Sequence, residues 1–229
     1  MSWGSIDAVI FDWGGTLTPW HTVDPFDSWL AATFDDADVA RRLHDAERAA
    51  WLQSTDEHRS ATLQDVFDRA GVIPTEDMLA AFHAWWEPHT YLDPDAPELF
   101  AALHHRGVQI GVLSNTMWPG AEHDRIFERD QVLSMLHGRV YTSEIPWTKP
   151  HPEAFRAALA AVGVADPARA VFVGDRLFDD IHGAKAVGMR AVLVPHSDIP
   201  PEQLREVDSE PDAVIGRLID LLDVLDSWR

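Results

Sequence analysis

Short apolar runs, separated by polar segments with helical spacing, are the clearest pattern in the chain. Runs of this length are typical of strands buried on both faces of a parallel sheet. They occupy residues 8–11, 108–113, 139–142, 170–174, 191–195 and 212–215. From residue 97 onward, helical patterns alternate with them; one ends near Arg106 and the others cover 119–128, 152–162, 178–187 and 216–226. This alternation predicts an α/β fold with a parallel sheet and helices on both faces.

Residues 24–92 interrupt the alternation, because they contain helical patterns and no good strand. Those patterns cover residues 25–34, 36–52, 61–71 and 75–86. Thr75 is a predicted N-cap for the last of them, and a proline-rich segment at 91–97 is typical of a hinge. We therefore predict two units. An α/β core comprises residues 1–18 and 93–229, and an all-helical cap, residues 19–92, is inserted between them.

The charge of the chain restricts its partners. Its 229 residues include 18 basic and 38 acidic residues, a net charge of −20. Such a field disfavours nucleic acids and anionic membranes as partners. It also repels phosphate, so a phosphate site needs local positive charge from a lysine, a metal ion or backbone N–H groups. The sequence specifies neither an oligomeric state nor the identity of a substrate.

The absence of cysteine excludes disulfides and thiolate metal sites, and it fits a reducing cytoplasm. The N-terminal residues contain no basic segment and no long apolar run. We therefore expect no signal peptide and no membrane span there, and a cytoplasmic location.

Charged and polar side chains recur where the predicted strands end. Asp12 follows the first strand and precedes two glycines, which allow a sharp turn. The others are Ser114 and Asn115 after 108–113, Lys149 shortly before the helix at 152–162, and Asp175 and Asp180 after 170–174. Because the carboxyl ends of parallel strands share one edge of the sheet, where ligands bind, we expect these side chains to lie together.

These motifs resemble, in type and order, those of the haloacid dehalogenase superfamily of hydrolases, in particular its phosphatase-like members with a helical cap. The matching segments are FDWGGTLT at 11–18, SNT at 114–116, TKP at 148–150 and GD at 174–175 with Asp180 beyond it. The resemblance implies a Rossmann-like core. It also implies a Mg²⁺-dependent hydrolase that acts on small phosphorylated metabolites through an aspartyl-phosphate intermediate.

The same resemblance implies roles for individual residues. Asp12 would be the nucleophile, Lys149 would neutralise Asp12 and the phosphate, and Ser114 would donate a hydrogen bond to a phosphoryl oxygen. The residues expected to bind substrate are Asn115, Gly15, Trp20 and His21. The protein ligands expected for Mg²⁺ are Asp12, the Gly14 carbonyl, Asp175 and Asp180, since this ion prefers oxygen ligands.

The lysine count supports the role of Lys149. The chain has two lysines, Lys149 and Lys185, against sixteen arginines. A compact point charge at position 149 differs from a planar guanidinium fork, so its retention there indicates a chemical requirement. We expect Lys185 to be structural.

Gly14 departs from the pattern of most phosphatases of this superfamily, which carry a second aspartate at that position. That aspartate protonates the leaving group and then activates water. General acid–base help is worth about 10²–10⁴ in rate. Another group, for which His21 is the candidate, must supply it, or the substrate has a good leaving group, or catalysis is slow.

Three alternatives to a phosphatase can be compared with the sequence. The 2-haloacid dehalogenases also lack the second aspartate, but they need no metal and carry neutral residues where this chain has Asp175 and Asp180. The phosphonoacetaldehyde hydrolases use a lysine in the cap, and residues 19–92 contain none. A catalytically weak binding protein on the same scaffold is the third, although a cluster of buried like charges destabilises a protein that has no use for it.

Overall fold

A parallel sheet forms the centre of the α/β part of the molecule. The structure, a computed structural model, describes residues 6–19, 23–195, 205 and 207–229. The strands in these ranges are β1 (Ala8–Phe11), β2 (Gln109–Ser114), β3 (Gly138–Tyr141), β4 (Ala170–Gly174), β5 (Arg190–Leu193) and β6 (Ala213–Val214). They pair in parallel in the order β3-β2-β1-β4-β5-β6. This Rossmann-like order confirms the predicted fold class.

Helices cover both faces of the sheet, as the alternation of patterns predicted. They are α5 (Ala96–His105), α6 (Gly120–Arg129), α7 (Pro152–Ala161), α8 (Gly183–Ala186) and α9 (Leu221–Ser227). Successive residues of a strand face opposite sides. Val9 and Phe11 accordingly join one apolar cluster with side chains of α5 and α9, whereas Ala8 and Ile10 join another with side chains of α7 and α8.

The region between β1 and α5 is helical. Its helices are α1 (Pro25–Ala32), α2 (Ala37–Glu57), α3 (Leu63–Ala70) and α4 (Glu76–Trp86). They enclose their own apolar cluster, which includes the buried rings of Trp29, Phe67 and Phe82. The Thr75 hydroxyl accepts a hydrogen bond from the Met78 N–H at 3.2 Å and so caps α4, as its position predicted. We call residues 25–86 the helical insertion.

Two segments differ from the sequence predictions. The helix expected over 178–187 is a π-helical turn, Leu177–His182, followed by the single turn of α8. Because this turn is wider than an α-helix, the N–H groups of Asp180 and Ile181 both donate hydrogen bonds to the Arg176 carbonyl. Strand β3 begins at Gly138, one residue before the predicted run at 139–142, and Gly138 lies there against the backbone of Ala161.

The helices in the described ranges are too short or too polar to span a lipid bilayer.

Candidate active site

Asp12 lies where the order of the strands switches from one side of β1 to the other. From β1 the chain builds β2 and β3 on one side and β4 to β6 on the other. Asp12 directly follows β1, and its N–H donates to the Val173 carbonyl at 2.9 Å, which extends the pairing with β4 by one residue. Asp175 directly follows β4. Both carboxylates therefore lie at the switch point, where open α/β sheets bind their ligands.

Lys149 forms ion pairs with both Asp12 and Asp180. The Lys149 ammonium lies 2.5 Å from Asp12 Oδ1 and 2.8 Å from Asp180 Oδ1. The exposed fractions of these residues are 4% for Lys149, 6% for Asp12 and 0% for Asp180. Charged residues are almost never buried to this extent unless they are paired. The pairing brings together residues that are 137 and 31 positions apart.

Gly174 explains why a glycine precedes Asp175. A Cβ added to Gly174 would overlap the Asp180 carboxyl group. The other oxygen of that carboxylate, Oδ2, accepts a hydrogen bond from the Arg176 N–H at 3.0 Å. The absence of a side chain at position 174 therefore lets Asp180 reach Lys149, while the backbone of the following turn fixes its orientation.

Burial and charge shift the pKa values in this cluster. Burial raises the pKa of Asp12, and the nearby Asp180 raises it further, while Lys149 opposes both. Burial opposes the charge of Lys149, but the two carboxylates outweigh it and raise the lysine pKa, so the ammonium stays charged. Burial, with a contribution from Asp180, also raises the pKa of Asp179 to about 6.

The residues present fit a divalent cation. Carboxylate oxygens of Asp12, Asp175 and Asp180 lie within 4.8 Å of one another, and all three residues are buried. Lys149 pairs with two of them, Asp12 and Asp180. A set of hard oxygen ligands suits Mg²⁺. These carboxylates and the Gly14 carbonyl are the groups that would hold it.

Asn115 holds the backbone of Lys149. Its side-chain oxygen accepts from the Lys149 N–H at 2.8 Å, and its side-chain N–H donates to the Lys149 carbonyl at 3.1 Å. The Asn115 side chain is thereby occupied, so its contribution to substrate binding would come from its backbone N–H. Ser114, the last residue of β2, is buried beside it.

The turn after Asp12 has space at the position where a second aspartate is missing. Among the described residues, no atom lies within 4 Å of a Cβ added to Gly14, and this glycine is not left-handed. Gly15 does need a glycine, because its φ is 87°. The Gly15 N–H donates to the Thr18 carbonyl at 2.9 Å, which closes the turn. Gly14 is therefore a chemical rather than a steric departure from the superfamily pattern.

The other two residues predicted to bind substrate, Trp20 and His21, lie outside the described residues.

Sequence reasoning missed a segment that the structure brings to the site: residues 58–60, between α2 and α3, pair with the backbone just before Lys149. Backbone pairing leaves no residue-type signature, so the sequence offered no signal for it.

A family model described as haloacid dehalogenase-like hydrolase matches residues 6–188. Among curated relatives, glyceraldehyde 3-phosphate phosphatase of Pyrococcus furiosus is 45% identical over 60% of this chain and 56% of its own length. Phosphonoacetaldehyde hydrolase of Pseudomonas fluorescens is 26% identical over 90% of this chain and 80% of its own length. The chain thus spans little more than half of the first of these relatives.

Solved structures share the fold. A phosphatase of the same superfamily from Thermococcus onnurineus has a TM-score of 0.67, with 23% identity over 96% of this chain and 98% of its own. L-2-haloacid dehalogenase from Xanthobacter autotrophicus has a TM-score of 0.65, with 21% identity over 96% of this chain and 98% of its own. Because phosphatase and dehalogenase match equally well, the fold does not separate these reactions, and the residues at the strand ends must.

Proposed function

Because this chain belongs to the haloacid dehalogenase-like hydrolases, we propose that it is a Mg²⁺-dependent phosphatase of small phosphorylated metabolites. The observation that carries the proposal is the buried group of three carboxylates within 4.8 Å of one another. Lys149 bridges two of them. A hydrolase that displaces halide without a metal has no need for this arrangement, whereas a phosphoryl dianion requires concentrated positive charge in a protein of net charge −20.

Asp12 is the nucleophile in this proposal. One of its oxygens attacks phosphorus and forms an O–P bond, while the bond from phosphorus to the leaving oxygen breaks. Water then attacks the phosphorus of aspartyl-phosphate, which releases inorganic phosphate and restores the carboxylate. Lys149 holds Asp12 in place and offsets its charge. Bound Mg²⁺ would reduce the repulsion between the carboxylate and the phosphoryl group.

The space at Gly14 indicates the class of substrate. With no side chain there to protonate the leaving oxygen, hydrolysis is fastest when that oxygen leaves as a weak base. Acyl, anomeric and aryl phosphates meet this condition better than alkyl phosphates. The helical insertion acts as the cap, and a cytoplasmic location follows from the composition as an expectation.

The relatives include a phosphonoacetaldehyde hydrolase, and this chemistry is a weaker candidate. The cap lysine that such enzymes use for a Schiff base has no counterpart among residues 19–92. The dehalogenase alternative is weakened by the acidic residues at positions 175 and 180.

The decisive experiment is turnover of p-nitrophenyl phosphate with and without Mg²⁺, followed by a panel of phosphorylated metabolites. We expect activity that EDTA removes and Mg²⁺ restores, and that Asp175→Asn strongly reduces. Release of halide from 2-chloropropionate, independent of metal, would instead support the dehalogenase reaction. Absence of turnover on every substrate would favour the binding protein.

A further inference from the structure

The connector between α2 and α3 pairs with a loop of the α/β core. Arg59 and Trp147 form an antiparallel bridge. The Ser60 N–H donates to the Pro146 carbonyl at 3.2 Å, and the Thr148 N–H donates to the His58 carbonyl at 3.1 Å. Two hydrogen bonds in opposite directions thus join the helical insertion to the core at the residue before Lys149.

The connector is shaped for this pairing. His58 ends α2 in the left-handed region, with φ of 53°, which few residues other than glycine adopt. The turn directs its carbonyl toward Thr148 instead of continuing the helix. Side chains add to the contact, since the Arg59 guanidinium lies 5.8 Å from the centroid of the Trp147 ring. Trp147 in turn stacks on His151 at 4.0 Å.

The paired core loop continues directly into Lys149, whose backbone the Asn115 side chain holds from the other side. Asn115 and the connector therefore act on adjacent peptide units of the same loop. Nearby, the Leu63 N–H donates to the Met117 carbonyl at 2.9 Å, two residues beyond Asn115. The helical insertion is thus bonded to both loops that fix the position of the lysine.

We propose that the connector, residues 58–60, is a positioning element for Lys149. When it is paired with residues 146–148, the ammonium is held between Asp12 and Asp180 and shielded from solvent. When the pairing opens, the lysine loop loses this restraint and the ammonium becomes accessible. Movement of the insertion would thereby alter the position of the ammonium in the site as well as access to the site. The inference concerns the lysine and does not depend on the substrate proposed above.

Selective labelling of amines tests the proposal directly. The chain contains two lysines, so Lys185 serves as an internal reference. Lys149 is buried, whereas the Lys185 side chain is 35% exposed in its pair with Asp212. Reductive methylation of the native protein, read by peptide mass spectrometry, should modify Lys185 quickly and Lys149 slowly.

Two substitutions at one position separate backbone from side chain. Ser60→Pro removes the N–H that donates to Pro146, whereas Ser60→Ala keeps it. Loss of one net hydrogen bond shifts an opening equilibrium about fivefold. We expect the labelling rate of Lys149, relative to Lys185, to rise about fivefold or more in Ser60→Pro and to stay near the wild-type value in Ser60→Ala. Equal rates in the two variants, both folded by circular dichroism, would overturn the proposal.

Hydrogen exchange of the wild-type protein supplies a second measurement, should Ser60→Pro fail to fold. The Thr148 amide and the Lys149 amine should become accessible through the same opening. Their rates should then increase in parallel as low concentrations of urea are added, while the labelling rate of Lys185 stays constant. Different slopes for Thr148 and Lys149 would show that the lysine is released independently of the connector.

Discussion

Two regions of the molecule withdraw acidic groups from solvent, and the partners of these groups differ between the regions. At the carboxyl edge of the sheet, Asp12 and Asp180 share one ammonium, with Asp175 within reach of both. In the helical insertion, the half-buried Glu47 of α2 accepts a hydrogen bond at Oε2 from the indole N–H of Trp29 on α1 at 2.8 Å. The two regions differ both in burial, since Glu47 is half-buried and Asp12 and Asp180 are buried, and in the partners of the carboxylates.

Burial raises the pKa of both acids, and their partners oppose it to different degrees. At Asp12 the opposition comes from the charge and the hydrogen bond of Lys149. Glu47 has a neutral donor, which offsets burial only slightly, and its pKa rises to about 7. A buried carboxylate beside a cation is available for chemistry, whereas one beside an indole is a folding element that resists ionisation. The comparison predicts opposite consequences for activity when each acid is changed to its amide.

The largest effect is expected for Asp12→Asn. It removes the nucleophile with almost no change in shape, so turnover should fall by about 10⁴-fold or more. In metal-free buffer the melting temperature should rise, because the amide removes a buried charge and its repulsion with Asp180. Initial rates and thermal unfolding with EDTA measure the two outcomes. The matched control is Glu47→Gln, which makes the same change in the other region and should keep its activity. A clean Asp12→Asn preparation that turns over normally would exclude the covalent mechanism.

The next effect concerns Gly14. Wild-type turnover should fall steeply as the leaving-group pKa of a phosphate series increases. Gly14→Asp should recover up to about 10²–10⁴ in rate on alkyl phosphates, the range of general acid–base help. The structure favours this variant, because no described atom lies within 4 Å of the added Cβ. Rates that do not depend on the leaving group, with chemistry rate-limiting, would show that another residue supplies the proton; His21→Ala is then the variant to assay.

Metal binding should have a smaller effect on stability. A ligand specific to the native state adds about 2.7 kcal/mol at a hundredfold excess over Kd. For a chain of this size that corresponds to a rise in melting temperature of about 5–10 °C. Asp175→Asn should shrink the rise, whereas the exposed Asp45→Asn should not. If Mg²⁺ and EDTA give the same melting curve, the metal site is assigned to the wrong residues.

The sequence was sufficient for the fold because the apolar runs are unambiguous. Strands β1, β2, β4 and β5 are almost entirely buried by their neighbours and the flanking helices, so local composition and tertiary position agree there. Gly15 and Gly174 also belong to the recognised motifs, but each position needs glycine for a different reason. Gly15 adopts a positive φ, and Gly174 leaves space for the Asp180 carboxyl group.

The features that the sequence did not predict depend on contacts between distant segments. Nothing local to Asn115 indicates that its side chain holds the backbone at position 149. The pairing of residues 58–60 with 146–148 uses main-chain atoms and so leaves no trace in residue type. The position of Glu47 on α2 is typical of an ordinary surface acid. Only its contact with Trp29 shows that it is half-buried.

Glu47→Gln should have the smallest effect, and its pH dependence is the sharpest test of the comparison. The folded-state pKa of about 7 lies above the ordinary value of 4.5. The protonated form therefore favours the folded state, and the stability that it confers is lost as the pH rises through about 7. Glutamine keeps an acceptor for Trp29 and cannot ionise.

The stability advantage of Glu47→Gln over wild type should therefore grow by about 1–2 kcal/mol between pH 5.5 and pH 8.5, as measured by urea unfolding. Asp45→Asn on the same helix removes an equal charge from an exposed position, so its difference from wild type should stay nearly constant with pH. If both variants follow the wild-type curve in parallel, Glu47 is ionised in the folded protein. The contrast between the two buried regions would then come from solvent access and not from the choice of partner, because an acid without a cation can keep its charge only where water reaches it.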